Sequence, residues 1–167
     1  RKFFRLINSN ASTLIGFLSI MLIDSHCHLD RLDLSEREGG LEGVIADAQA
    51  RGISQLLTVA VDLESSKSLT ELTAKYDHIY SSVGVHPLQD EELPLPTVEQ
   101  ITELAKLPKV IAVGETGLDN FYSADSYEWQ HESFTRHLIA SKEVEKPLIA
   151  HTRDARDETI KLRKQHQ

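Results

Sequence analysis

The chain has 167 residues, a formal net charge of −8 and 40% hydrophobic residues, enough apolar mass for one folded domain. A charged fraction of 26% is that of an ordinary globular protein and excludes a disordered chain. The acidic balance excludes a broad basic surface for duplex nucleic acid, but leaves room for a strand gripped locally through cations.

Residues 1–20 differ from the rest. Arg1, Lys2 and Arg5 precede a short apolar run from Leu14 to Ile20, the order found in a signal peptide. The run is too short to span a bilayer. No small-x-small cleavage pattern precedes Met21, and Asn8, Ser9, Asn10 and Ser12 interrupt the segment. Met21 is the only methionine, and a strand pattern starts directly after it. Residues 1–20 are therefore expected to be a non-native upstream extension or a poorly ordered segment, and residues 21–167 the domain. No membrane association is expected. Cys27 is the single cysteine, which rules out an intramolecular disulfide and fits a reducing cytoplasm.

From Met21 onward, apolar β-branched runs alternate with amphipathic stretches. Leu22–His28 is the first predicted strand. A helix follows over Leu41–Arg51, with Gly52 as its stop signal. Gln55–Val61 is nearly continuous Leu, Val and Ala, as in a strand buried on both faces. A helix over Ser65–Tyr76 leads to a third strand, Ile79–Val85. Pro87, Pro94 and Pro96 mark a loop before a helix over Val98–Leu107. The fourth strand is Lys109–Glu115. A long helix, Ser126–Val144, precedes the fifth strand, Pro147–His151, and a last helix starts near Arg153. Strand-helix alternation without hairpin turns predicts parallel pairing. An open doubly wound sheet and a (β/α)8 barrel both fit. A barrel takes about 250 residues, so this chain would supply only the first five βα units of one. No Gly-rich phosphate loop follows the first strand, which counts against a dinucleotide fold.

Polar residues collect at the C-terminal ends of these strands, the edge where parallel α/β folds bind ligands. The first strand ends Asp24-Ser25-His26-Cys27-His28. Residues two apart on a strand share a face, so His26 and His28 point together, with Cα atoms roughly 6.5 Å apart. Two imidazoles at that spacing suit one metal ion or a close pair; the plain alternative is two polar residues at a strand end. Cys27 points away and reads as packing. Glu115 ends an apolar strand, where a carboxylate is costly unless paired with a cation or a basic side chain. His151 sits at the fifth strand tip. Arg153, two residues on, suits a phosphate as a planar fork, or caps and pairs with a nearby acid.

His86, before Pro87, is a proton donor, a phosphate contact, a group behind the ligands, or a structural turn residue. Asp119 is placed to orient a ligand imidazole or to contact substrate. Asp24 reads as a buried structural acid. Trp129 and Phe134 read as core. His78, His131, His137 and His166 fall in predicted helices or their ends and default to the surface.

At these motifs the chain resembles the TatD family of metal-dependent hydrolases. The matching segments are Met21–Asp30, Gly84-Val85-His86-Pro87, Val113–Asp119 and Pro147–Ala155. The resemblance implies a TIM-barrel-like (β/α)8 fold with a two-metal centre. His26 and His28 would hold one divalent ion, Glu115 would bridge, and His151 would hold the second. Mg²⁺, Mn²⁺ and Zn²⁺ all remain open. The implied activity is that of a DNase trimming single-stranded DNA from 3′ ends. Glu115, His86 and Arg153 would be catalytic, and Arg153, His86 and Asp119 would meet substrate. Some relatives are assigned to D-aminoacyl-tRNA deacylation, which makes carbonyl ester hydrolysis an alternative. The family pattern adds a histidine and an aspartate on later strands. Neither is in this sequence, so an inactive fragment is a further alternative.

Overall fold

A computed structural model describes residues 21–89, 92–122 and 124–166. The expectation for residues 1–20 lies outside the described residues. No helix among the described residues is long and apolar enough to cross a membrane. The chain divides into two compact units, each with its own contacts.

The described part of the first unit covers residues 21–24 and 33–54. It holds the start of strand β1 (Leu22–Cys27), helix α1 (Gly40–Ala50) and the start of strand β2 (Ile53–Thr58). The Leu22 N–H donates to the Gly52 carbonyl at 3.0 Å, and the Ser54 hydroxyl donates to the Leu22 carbonyl at 3.0 Å. Arg37 pairs with Asp47 across α1. Asp24, expected to be buried, is only half-buried.

The second unit comprises Ser25–Leu32 and the described residues from Gln55 onward. It holds strands β3 (Ile79–Val83), β4 (Val110–Asp119) and β5 (Leu148–Arg153). Its helices are α2 (Leu63–Thr73), α3 (Val98–Ala105), α4 (Tyr127–Glu143) and α5 (Arg156–Gln165). Pairing is parallel from β2 to β5: Leu56 sits opposite Ile79, Val83 opposite Val113, and Asp119 opposite Arg153. The Val59 N–H donates to the Cys27 carbonyl at 2.8 Å, fixing the end of β1. The strand order is the sequence order, β1-β2-β3-β4-β5. A doubly wound sheet reverses its order at a switch point, and no reversal occurs among these strands. The barrel-type reading is therefore the one the topology follows.

Local chemistry explains the helix starts. Asp62 accepts the Ser65 N–H at 2.6 Å and the Ser65 hydroxyl returns the contact, a capping box that opens α2. Thr97 and Gln100 do the same for α3. Ile101 and Ala105 of α3 pack with Val83, Val110, Val113 and Ala140 in one apolar cluster. Leu118, Phe134, Leu138 and Ala155 form another. Phe134 is core as expected, and a fully buried side chain of that kind contributes roughly 1.5–3 kcal/mol. Trp129 is only half-buried, with its indole N–H on the Leu93 carbonyl at 3.2 Å.

All five strand ends differ from expectation: β1 stops at Cys27, β2 at Thr58 and β3 at Val83, short of the expected His28, Val61 and Val85. β4 continues past Glu115 to Asp119, and β5 continues past His151 to Arg153, so α5 starts at Arg156 rather than near Arg153. The ladder between the two strands persists because Gly114 and Gly117 allow the backbones to approach. Gly114 has φ 131°, and a Cβ there would lie 2.4 Å from the Ile149 carbonyl oxygen. A Cβ at Gly84 would lie 2.5 Å from the Gly114 Cα. β3 and β4 touch at this point, and the register between β4 and β5 shifts between Val113 and Thr116. Glu115 sits at that irregularity rather than at a strand tip.

Candidate metal centre

All the histidines expected at the rim gather around Glu115, within the second unit. The Glu115 side chain is 12% exposed, at the floor of the cluster. Its backbone N–H donates to the Ala60 carbonyl at 3.0 Å. The preceding carbonyl, that of Gly114, accepts the buried Ser82 hydroxyl, and the Ser82 oxygen accepts the Ala60 N–H at 3.1 Å. Ser82 thus ties the chain leaving β2 to the bend in β4 that aims Glu115.

The carboxylate meets histidines on both sides. His26 Nε2 lies 3.3 Å from Glu115 Oε2, and His151 Nδ1 lies 3.5 Å from Oε1. The His26 and His28 rings meet edge-on with centroids 5.3 Å apart, so they share a face as the spacing predicts. One ligand atom from each of His26, His28 and Glu115 lies within 4.8 Å of the others; the same holds for His86, Glu115 and His151. Cys27 stays out of the cluster, with its thiol on the Leu57 carbonyl at 3.4 Å.

Hydrogen-bond partners fix which ring nitrogens carry protons. The Val59 carbonyl, 2.8 Å from His28 Nδ1, can only accept, so Nδ1 is protonated and Nε2 keeps its lone pair. The Asp119 carboxylate, 2.9 Å from His151 Nε2, likewise leaves Nδ1 as the bare nitrogen facing Glu115. A carbonyl or carboxylate behind an imidazole is the usual support of a metal-ligating histidine. His86 is opposite in kind. Its Nδ1 accepts the Leu88 N–H at 3.1 Å, so Nε2 of the neutral ring carries the hydrogen. That N–H points to His151 Nδ1 at 3.3 Å and to Glu115 Oε1 at 4.0 Å. By distance His86 belongs with the ligands; by tautomer it is a donor. The tautomer decides, since a protonated nitrogen has no lone pair for a cation.

The donor set fits divalent ions: three imidazole lone pairs and a shared carboxylate are groups that Zn²⁺ and Mn²⁺ accept. Burial is the largest influence on His86 and lowers its pKa below the ordinary 6.5; Glu115 opposes it and His151 adds to it. Burial raises the Asp119 pKa, but the Tyr122 N–H, the His151 ring and the Phe121 N–H outweigh it, leaving the carboxyl below 3.8 and ionised.

A family model described as TatD related DNase matches residues 23–167. The chain belongs to that family. A metal-dependent hydrolase of Escherichia coli K12, YcfH, which carries the label uncharacterized, is 40% identical over 143 residues, covering 86% of this chain and 53% of that protein. A protein of Escherichia fergusonii named 3′-5′ ssDNA/RNA exonuclease TatD is 34% identical over 121 residues, covering 72% of this chain and 46% of its own length. The crystal structure of YjjV, a TatD homologue from Escherichia coli K12, superposes with a TM-score of 0.78 at 28% identity, covering 89% of this chain and 57% of that one. A TatD family hydrolase from Entamoeba histolytica shares the fold, with a TM-score of 0.74 at 22% identity. The chain spans about half the length of the curated relatives it matches.

Within this TatD-family site, two expected residues lie around the ligand cluster rather than in it. Asp119, expected to orient a ligand imidazole or to contact substrate, has a side chain 0% exposed and lies 2.9 Å from His151 Nε2, the geometry of the first alternative. Arg153 is exposed at the end of β5 with its guanidinium carbon 4.5 Å from the ring centres of both Phe121 and Tyr122. Among the described residues no carboxylate pairs with it. Arg31 was missed. It lies 3.5 Å from Asp62 and helps line a cleft of about 240 Å³ with His28, His86, Gln89 and Glu115.

His137 was also misplaced. It is fully buried, its Nε2 accepting the Val85 N–H at 3.0 Å and its Nδ1 donating to the Ser133 carbonyl at 2.7 Å. Val85 immediately precedes His86, so His137 anchors the turn that carries the donor. Its stripe with Gln130, Ser133, Phe134 and Leu138 at helical spacing was the available signal.

Proposed function

We propose that this TatD-family protein is a metal-dependent phosphodiesterase acting on single-stranded nucleic acid, DNA above all, from the 3′ end, in the cytoplasm. The observation that carries the reading is the convergence of the His28 and His151 lone pairs, each fixed from behind, on the shared carboxylate of Glu115. The family membership and the name of the Escherichia fergusonii relative support it.

His26 and His28 would hold one divalent cation, His151 a second, and Glu115 would serve both. Mg²⁺, Mn²⁺ and Zn²⁺ are all compatible with this set. When bound, such ions acidify an attacking water and polarise the phosphoryl oxygens. The protein's own side chains do the rest. His86 offers its Nε2–H to a phosphoryl or leaving oxygen, as a hydrogen-bond donor to developing charge. Arg153, with no acidic partner among the described residues, gives a charge-assisted pair to a neighbouring phosphate. Asp119 holds the His151 ring in one tautomer throughout.

The test is to incubate the purified protein with a 5′-labelled single strand and Mn²⁺, Mg²⁺ or Zn²⁺. Stepwise shortening from the 3′ end that chelator abolishes and Glu115→Gln reduces by at least a hundredfold is the expected result. Turnover of carboxylic esters alone, with the strand left intact, would overturn it in favour of ester hydrolysis.

A further inference from the structure

Beyond the metal cluster, the ends of β4 and β5 carry an assembly that the proposed chemistry leaves unexplained. Phe121 and Tyr122 are large aromatic side chains, 57% and 62% exposed. Their rings meet at 89° with centroids 4.6 Å apart, so the edge of one covers a face of the other while both side chains stay exposed. The Arg153 guanidinium packs on both rings. Exposed aromatic surface is costly unless something covers it. Here the position is built rather than incidental. Asp119 Oδ1 accepts the Phe121 N–H at 3.0 Å and the Tyr122 N–H at 2.8 Å, while its other oxygen holds His151. The Asp119 backbone is itself fixed by the buried Gln130 amide, 2.7 Å from its N–H. One buried carboxylate therefore sets both the ligand ring and the aromatic turn, so their relation is rigid.

We propose that Phe121 and Tyr122, with Arg153 between strand end and rings, form a stacking platform for a nucleobase of the strand whose phosphodiester is cut. The inference rests on the phosphodiesterase reading. Two chemistries lie side by side: exposed ring surface, which takes any base, and guanidinium N–H groups with no carboxylate partner among the described residues, which take a phosphate. Stacking is sequence-tolerant, so the platform confers a requirement for a base without a preference among bases.

The experiment compares binding, by fluorescence anisotropy, of a labelled oligothymidylate and of an abasic strand of the same length and charge. Metal-dependent cleavage of both strands is followed on gels. The expected result is about tenfold tighter binding of the base-bearing strand. That ratio should fall towards one in Phe121→Ala and Tyr122→Leu and persist in Tyr122→Phe, which keeps the ring. Both side chains are exposed, so the substitutions leave the core packing alone. Equal affinity for the two strands, or a ratio the substitutions do not change, overturns the platform; cleavage of the abasic strand would then leave the phosphodiesterase reading standing. Binding of neither strand also overturns the platform, and absence of cleavage with it takes down the phosphodiesterase reading as well.

Discussion

The Nε2 of His151 lies 2.9 Å from Oδ2 of Asp119, a carboxylate with no exposed surface and no free oxygen. The relationship makes Asp119 a positioning residue. Removing a carboxylate that orients a ligand histidine typically lowers metal affinity 10–100-fold. Asp119→Ala should show that loss in a Zn²⁺ titration, with His151 free to exchange tautomers. An affinity within twofold of the parent would mean His151 is not a ligand.

His86 separates two roles that distance alone confuses. As a donor with its hydrogen on Nε2, it should contribute to turnover and little to metal binding. His86→Gln is expected to reduce strand cleavage by roughly 10²-fold while metal affinity stays within about threefold. A fall in metal affinity matching that of His26→Ala would make His86 a ligand.

Burial lowers the pKa of His137 to about 4 from an ordinary 6.5, outweighing its bond to Ser133. The unfolded chain then binds more protons than the folded one in that window. The stability from neutral His137 is fully present above pH 6.5 and is lost as pH falls towards 4. The loss reaches at most roughly 3 kcal/mol at 1.36 kcal/mol per pH unit. Urea unfolding from pH 7.5 to 4.5 should show this slope in the parent. His137→Gln should be less stable at neutral pH, with the slope flattened. An equal slope in both would assign the acid sensitivity elsewhere.

Ser82 satisfies two buried backbone groups at the bend before Glu115. Ser82→Ala leaves the Ala60 N–H and the Gly114 carbonyl without that partner, a cost of roughly 1–3 kcal/mol for a buried unsatisfied group. Thermal unfolding measures it. Ser82→Thr, which keeps a hydroxyl, should recover part of the loss. No change in Ser82→Ala would mean the bend is held by other contacts.

The sequence made the strand positions and the shared face of His26 and His28 legible because both follow short-range rules: β-branched runs mark strands, and alternation puts the two histidines together. Glu115, His151 and His86 stood out as candidates by chemistry, since polar groups that follow apolar β-branched runs need a reason. The extent of β4 was not readable. Gly114 and Gly117 give clearance between neighbouring backbones, a tertiary relation that the pattern along the chain does not carry. The tautomers of His28, His86 and His151 depend on Val59, Leu88 and Asp119, partners set by tertiary contact or turn geometry. The pairing of Arg153 with Phe121 and Tyr122 depends on β4 and β5 running in register to Asp119 and Arg153, which no local pattern announces.

The most direct test is anomalous diffraction at the zinc edge from crystals of the protein grown with Zn²⁺. Two peaks are expected, one bonded to His26 and His28 and one to His151, both contacting Glu115 at roughly 2.0–2.2 Å. Zinc bound only at surface carboxylates, with no peak touching Glu115, would contradict the metal centre and every role assigned around it.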